Sequence, residues 1–156
     1  MHKTNAMRIL DREKIEYKLY NYENSNAISG IDVADYLQVE YHKIFKTLVT
    51  QGKSKEYYVF IIPVDKTLDL KKAAHVVNEK SIQMIKSKDL KQITNYVHGG
   101  CSPIGMKNTF KTIINDSALK EETILVNGGK IGYNLELKLD DLNKIIDIQI
   151  ADIIVL

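Results

Sequence analysis

The chain has 156 residues, 44% of them hydrophobic and 27% charged, with a formal net charge of +2. These values exclude wholesale disorder, and no run approaches the roughly 18 uninterrupted apolar residues of a membrane span. One cysteine, Cys101, excludes an internal disulfide framework, and the opening MHKTNAMRILDREK lacks the apolar core of a secretion signal, so a single soluble, cytoplasmic domain over residues 1–156 is expected.

Thr4 is a good N-cap for a helix over 4–14, with Ala6, Ile9 and Leu10 on one stripe. Residues 15–22 alternate at period two and read as extended. Asn24, Ser25 and Asn26 mark a loop. A short amphipathic helix follows Ser29 or Gly30. Two β segments, 44–50 and 56–62, flank a polar turn at Gly52 and predict an antiparallel hairpin that ends at Pro63. Asp69 caps a helix to about Val77. A short strand over 81–86 and a helix from Ser87 to about Thr94 come next. Residues 95–105 are a Gly- and Pro-punctuated loop. Strands are predicted over 110–114, 123–126 and 133–139, with a glycine turn at 127–132. Asp140 is expected to cap a helix to about Asp147, and the apolar tail 148–156 to pack back as core. Strands and helices mix without a βαβ rhythm. The expectation is a mixed α/β (α+β) domain whose curved, barrel-like sheet is surrounded by helices.

Charge is uneven along the chain. The first 115 residues carry 18 Lys/Arg against 12 Asp/Glu; the last 41 carry 4 against 8. A polyanion meets the first part more comfortably, with Lys86, Lys88, Lys91, Lys107 and Lys111 as candidate phosphate contacts. Several chemistries find no motif. No phosphate-binding loop or dinucleotide fingerprint is present, so no cofactor is expected. His2, His42, His75, His98 and Cys101 make no ligand set, so no metal is expected either.

Two features stand out. In Ile44-Phe45-Lys46-Thr47-Leu48-Val49, Lys46 interrupts an apolar strand face. Either the ammonium snorkels to water near an edge, or it is held at the floor of a pocket for an anion or developing oxyanion. In His98-Gly99-Gly100-Cys101-Ser102-Pro103-Ile104-Gly105, the paired glycines either make a tight turn or offer backbone N–H groups to a ligand.

Together with Leu68-Asp69-Leu70-Lys71-Lys72, Lys3-Thr4-Asn5-Ala6, Thr123-Ile124-Leu125-Val126 and Leu135-Glu136-Leu137, these segments resemble the YbaK/EbsC family over nearly the whole chain. That family includes cysteinyl-tRNA(Pro) deacylases, free-standing relatives of the prolyl-tRNA synthetase editing domain. The resemblance implies hydrolysis of a wrongly charged aminoacyl ester, with no cofactor and with aminoacyl-tRNA as partner. It points to tRNA(Pro) and a prolyl-tRNA synthetase. It places the catalytic lysine on Lys46 and the backbone donors on Gly99 and Gly100. Tyr22 (with Tyr20 as the alternative alignment of the family's tyrosine), Thr47, Cys101, Ser102, Pro103, Gly105, Asn127, Gly128 and Asn134 then make the substrate site. Cys101 falls on a variable position and is not read as a nucleophile. Asn127 and Asn134 stand where the cysteine-specific pattern has a serine and an aspartate. In that pattern the substrate's own thiol attacks the ester, and the protein holds the bend. The alternatives are a deacylase for alanine and a non-catalytic module that binds aminoacyl-tRNA or a synthetase. Oligomeric state is not readable.

Overall fold

The computed structural model describes residues 2–156. In chain order these form α1 (Asn5–Arg12), β1 (Lys18–Asn21), α2 (Gly30–Leu37), β2 (Phe45–Gly52), β3 (Tyr57–Pro63), α3 (Leu70–Val76), β4 (Ile82–Met84) and α4 (Ser87–Thr94). Then follow β5 (Lys111–Asn115), β6 (Ile124–Asn127), β7 (Tyr133–Leu137), α5 (Leu139–Ile145) and β8 (Ile148–Ala151). Three helices start where a side chain can satisfy the first free N–H groups. Thr4 accepts from Met7, Ser29 from Asp32, and Asp69 from Lys71 and Lys72.

The strands make two sheets. A three-stranded sheet runs β1-β7-β6, and a five-stranded sheet runs β4-β2-β3-β5-β8. The β2–β3 hairpin is antiparallel, with Phe45 opposite Pro63 and Gln51 opposite Tyr57. The strand β3 pairs with β5 in parallel on its other side, and β5 pairs with β8 in parallel. A strand paired on both edges and covered on both faces needs apolar residues at every position. The run Tyr58–Ile62 meets that need: Val59 and Ile61 enter one core cluster, Tyr58, Phe60 and Ile62 another.

The mixed α/β class agrees with the sequence reading, but the sheet does not close into a barrel. Among the described residues one parallel bridge, Ile44 to Leu125, pairs the two sheets, and β1, β4 and β8 remain edges. Two short 3-10 turns, Tyr41–Lys43 and Asp116–Lys120, are too brief for a periodic signal. The helix α5 begins at Leu139 and ends at Ile145. Asp140 therefore lies in its first turn, favourably placed toward the helix dipole, and is not the cap. The tail is only partly core. Ile153 is fully buried, while Ile150, Val155 and Leu156 are exposed on and beyond an edge strand.

A polar cluster braces the seam between the sheets. Glu136 of β7 accepts from Tyr20 of β1 at 2.7 Å and from Thr123, and it pairs with Lys43 at 3.0 Å just before β2. Burial raises the Glu136 pKa, but the bonds from Thr123, Tyr20 and Lys43 outweigh it and hold the carboxyl at about 2. A depressed folded-state pKa gives stability that is present above the ordinary carboxylate range and lost as pH falls through the folded value. Glu136→Gln is expected to cost about 1–3 kcal/mol near neutral pH. In urea denaturation that gap should narrow as pH falls from 4.5 toward about 2. A gap that stays constant over this window would show that the charge of Glu136 does not brace the seam.

Candidate functional site

The seam leaves a gap. Beyond the Ile44–Leu125 bridge, β6 does not follow β2, and β4 pairs only with Thr50–Gly52. The edge of β2 from Phe45 to Leu48 that faces away from β3 therefore has no strand neighbour. A cavity of about 400 Å³ occupies this gap. That size falls in the range of small-ligand sites. Phe45, Lys46, Thr47 and Leu48 form its floor, Tyr22, Asn127 and Asn134 come from the small sheet, and Ser29–Ile31 bring the start of α2. Leu90 of α4 and His98, Gly99 and Cys101 of the long loop complete the wall.

Lys46 lies on this floor. Burial lowers its pKa, opposed by the charge of Asp65. Among the described residues it forms no ion pair, whereas Lys3, Lys43, Lys72, Lys130 and Lys144 each do. Among the described residues, no carboxylate lines the cavity. The strand edge that carries Lys46 is open, and it borders this cavity.

The 98–105 loop is held by close backbone packing. Gly99 has φ +82°, a region that favours glycine, and a side chain at Gly100 would meet the backbone of Lys130 and Ile131 at about 3 Å. Asn127 ties the two turns together. Its amide donates to the Gly99 carbonyl at 3.0 Å, and its oxygen accepts from Gly129 N at 2.7 Å. The Gly100 N–H is donated to Val97 O at 2.9 Å, so it is engaged inside the turn. The N–H groups of Gly99 and Cys101 meet no protein acceptor among the described residues. Gly99 and Cys101, unlike Gly100, also line the cavity.

The other expected residues divide cleanly. Tyr22, Lys46, Thr47, Gly99, Cys101, Asn127 and Asn134 come together on the cavity wall. Gly100, Ser102, Pro103, Gly105 and Gly128 lie outside it. Ser102 is fully buried and accepts from Ile104 N, and Gly105 (φ +76°) packs beside Asn5 and Tyr96. These residues shape the loop from behind. Tyr20 belongs to the Glu136 cluster, and Tyr22 is the tyrosine of the cavity. Its hydroxyl accepts from Asn134 Nδ2 at 3.0 Å, and burial raises its pKa. The sequence reading missed the apolar wall, including Ile28, Val33, Ile44, Val64 and Leu90. His98, exposed, also stands at the cavity. Burial pushes the Cys101 thiol up to about 12, so it is protonated at neutral pH and a poor nucleophile.

The chain is 40% identical over 152 residues to an Enterococcus faecalis protein that carries the name of a Cys-tRNA(Pro)/Cys-tRNA(Cys) deacylase, EbsC; 97% of this chain and 93% of that one are covered. It is 27% identical to a proline–tRNA ligase of Fervidobacterium nodosum over 88% of this chain but only 25% of the ligase. A crystal structure described as a trans-editing enzyme for prolyl-tRNA synthetase superposes with a TM-score of 0.83, at 19% identity and 99% coverage of both chains. That of the hypothetical protein APE2540 gives 0.86 at 18% identity, covering 95% of this chain and 97% of that one. Neither likeness reaches beyond the fold. No helix is long and apolar enough to cross a membrane among the described residues. The model of the aminoacyl-tRNA editing domain matches residues 26–145, a span that runs from the loop before α2 to the end of α5 and takes in nearly every wall of the cavity; the chain belongs to that family.

Proposed function

We propose that the chain is a trans-editing deacylase that frees tRNA from a wrongly attached small amino acid, with cysteinyl-tRNA(Pro) as its leading substrate. The observation that carries this reading is that Gly99 and Cys101, whose N–H groups meet no protein acceptor among the described residues, line with Lys46 one cavity sized for a small acyl group on its ribose. Such donors stabilise the oxyanion that forms when an ester carbonyl is attacked. With cysteine attached, the substrate's sulfur bonds to the carbonyl carbon and the carbon–oxygen ester bond breaks. The thiol proton passes to the departing ribose oxygen, leaving free tRNA and a cyclic thiolactone. Lys46 holds the terminal phosphate or ribose and supports charge on the departing oxygen. Asn127 is a positioning residue, because it fixes Gly99 through the carbonyl it binds.

The tRNA body then lies along the basic side of α4. Lys88 and Lys91 sit on the helix that sends Leu90 into the cavity wall, with Lys86 at its start and Lys107 and Lys111 beyond it. None of the five forms an ion pair among the described residues. A prolyl-tRNA synthetase is the partner this reading names, since ligases of that kind contain a related segment. A tRNA substrate also implies work in the cytoplasm.

The first test is release of labelled amino acid from tRNA(Pro) charged with cysteine, alanine or proline. Cysteine or alanine should be released and proline left attached. Tight binding of charged tRNA without any release would replace the enzyme by a non-catalytic binding module. Lys46→Ala should lose at least about 100-fold in turnover with an unchanged melting temperature. Near-normal turnover in that variant would remove Lys46 from the mechanism. Cys101→Ser should turn over as the wild type does; loss of activity would reinstate the thiol as a participant. Binding of tRNA should weaken as salt rises, and the double variant Lys88→Ala/Lys91→Ala should flatten the log–log slope by about 1.5. An unchanged slope would move the tRNA to another face.

A further inference from the structure

The backbone of β2 has a direction that the pairing fixes. In an antiparallel ladder, residues alternate between turning their N–H and C=O toward one neighbour and toward the other. The Ile44 carbonyl accepts from Val64 N at 3.1 Å, and Gly52 N donates to Glu56 O at 2.9 Å. Even-numbered residues between them therefore turn to β3, and odd-numbered ones turn to the opposite edge. Val49 follows this parity, since its carbonyl accepts from Ile85 N on that edge. Thr47 stands midway between the Ile44–Leu125 bridge and Thr50, where pairing with β4 begins. Its N–H and C=O point to the edge without a strand, and no turn or loop backbone bonds either one among the described residues.

That edge borders the cavity, and Thr47 lines it. Thr47 is partly exposed although its hydroxyl oxygen is buried. The Phe45 carbonyl shares the edge by parity, but Phe45 is only 2% exposed beside the bridge. An N–H and a C=O of one extended residue form the pair that exchanges two hydrogen bonds with a residue opposite. An aminoacyl ester carries the matching groups on its single residue, an α-amine that donates and a carbonyl that accepts. The amine has hydrogens to donate whether protonated or not, so a backbone carbonyl serves where no carboxylate lines the wall.

We infer that the aminoacyl group docks on the open edge of β2 as a one-residue strand, its carbonyl accepting from Thr47 N–H and its α-amine donating to Thr47 C=O. The inference rests on the deacylase reading above. A carbonyl oxygen has two lone pairs, so this bond leaves room for a second donor from the 98–105 loop. Residues opposite one another in a strand pair place their side chains on the same face. The amino-acid side chain thus stands on the Thr47 face, which β2 shares with Phe45 and Val49 in the core cluster of Leu90 and Cys101, and away from Lys46.

The test is amide hydrogen exchange by NMR on the full chain, alone and with 3′-amino-3′-deoxyadenosine that is unacylated or carries a non-hydrolysable alanyl or propionyl amide. In the free protein the Thr47 amide should exchange at least about 100-fold faster than those of Lys46 and Leu48, which bond to β3. Saturating alanyl ligand should slow Thr47 at least about tenfold and shift its carbonyl carbon. The propionyl ligand, which lacks the amine, should slow Thr47 without that carbon shift and bind about tenfold more weakly. The unacylated nucleoside should leave Thr47 as it was. Thr47→Pro removes an N–H that no ladder bond uses and should weaken the alanyl ligand about tenfold in Kd; if that variant does not fold, exchange in the wild type decides. A Thr47 amide as protected as Leu48 in the free protein, or unchanged when the alanyl ligand shifts Gly99 and Cys101, overturns the inference and leaves the deacylase reading in place. Failure of both acylated ligands to bind also overturns it, and if charged tRNA is left intact as well, the deacylase reading falls with it.

Discussion

The site depends on one constraint: among the described residues, strand pairing between the two sheets is limited to one bridge, Ile44 to Leu125. Continued pairing of β2 with β6 would fill the space now taken by the cavity and bury Thr47 under a neighbouring strand. Because pairing stops after one residue, four residues of β2 present an open edge. An exposed strand edge is ordinarily a hazard, since its free backbone groups invite another chain. Here α2, Leu90 and the 98–105 loop enclose it, and the edge becomes the floor of a pocket. The Glu136 cluster sits beside the bridge and holds Lys43 and Thr123 together, which keeps β2 and β6 aligned at the point where they separate.

The loop opposite needs equal precision, and Asn127 supplies it. One amide spans two turns, donating to Gly99 and accepting from Gly129. A serine has a single short hydroxyl and cannot hold both partners at that separation in the same way. The departure from the cysteine-specific pattern thus has a structural use in this chain. Gly100 adds the second requirement, because the backbone of Lys130 and Ile131 lies where any side chain would begin. The glycine pair serves different ends: Gly99 lines the cavity, and Gly100 lets the two turns touch.

Much of this was legible in the sequence because the signals were local. Helix starts at Thr4, Ser29 and Asp69 followed from capping chemistry, and the β2–β3 hairpin followed from two β-rich runs around a glycine. Lys46 stood out because it interrupts an apolar strand. What periodicity does not carry is distance between remote segments. Nothing in the pattern of Ile28 to Val33, an ordinary amphipathic stretch, marks it as a cavity wall. Whether the sheet closes depends on how far β2 and β6 run together, and strand propensity is silent on that. The assignment of N–H donors was also out of reach, since both glycines read alike until the turn shows which N–H is engaged by Val97.

The electrostatics of the cavity connect its stability to its chemistry. Lys46 is partly desolvated and unpaired, and Thr47 and Asn134 hold orphaned atoms. Each orphaned group costs about 1–3 kcal/mol, so the empty site is less stable than a plain apolar floor. That cost is offset elsewhere, by two-faced burial of β3 and by the braced seam. The benefit is preorganisation: donors and charge are in place before any ligand arrives, so no reorganisation is needed when negative charge develops at the carbonyl. A carboxylate among these residues would pair with Lys46 and quench the positive potential. Among the described residues none lines the wall, and Lys46 is the lysine there.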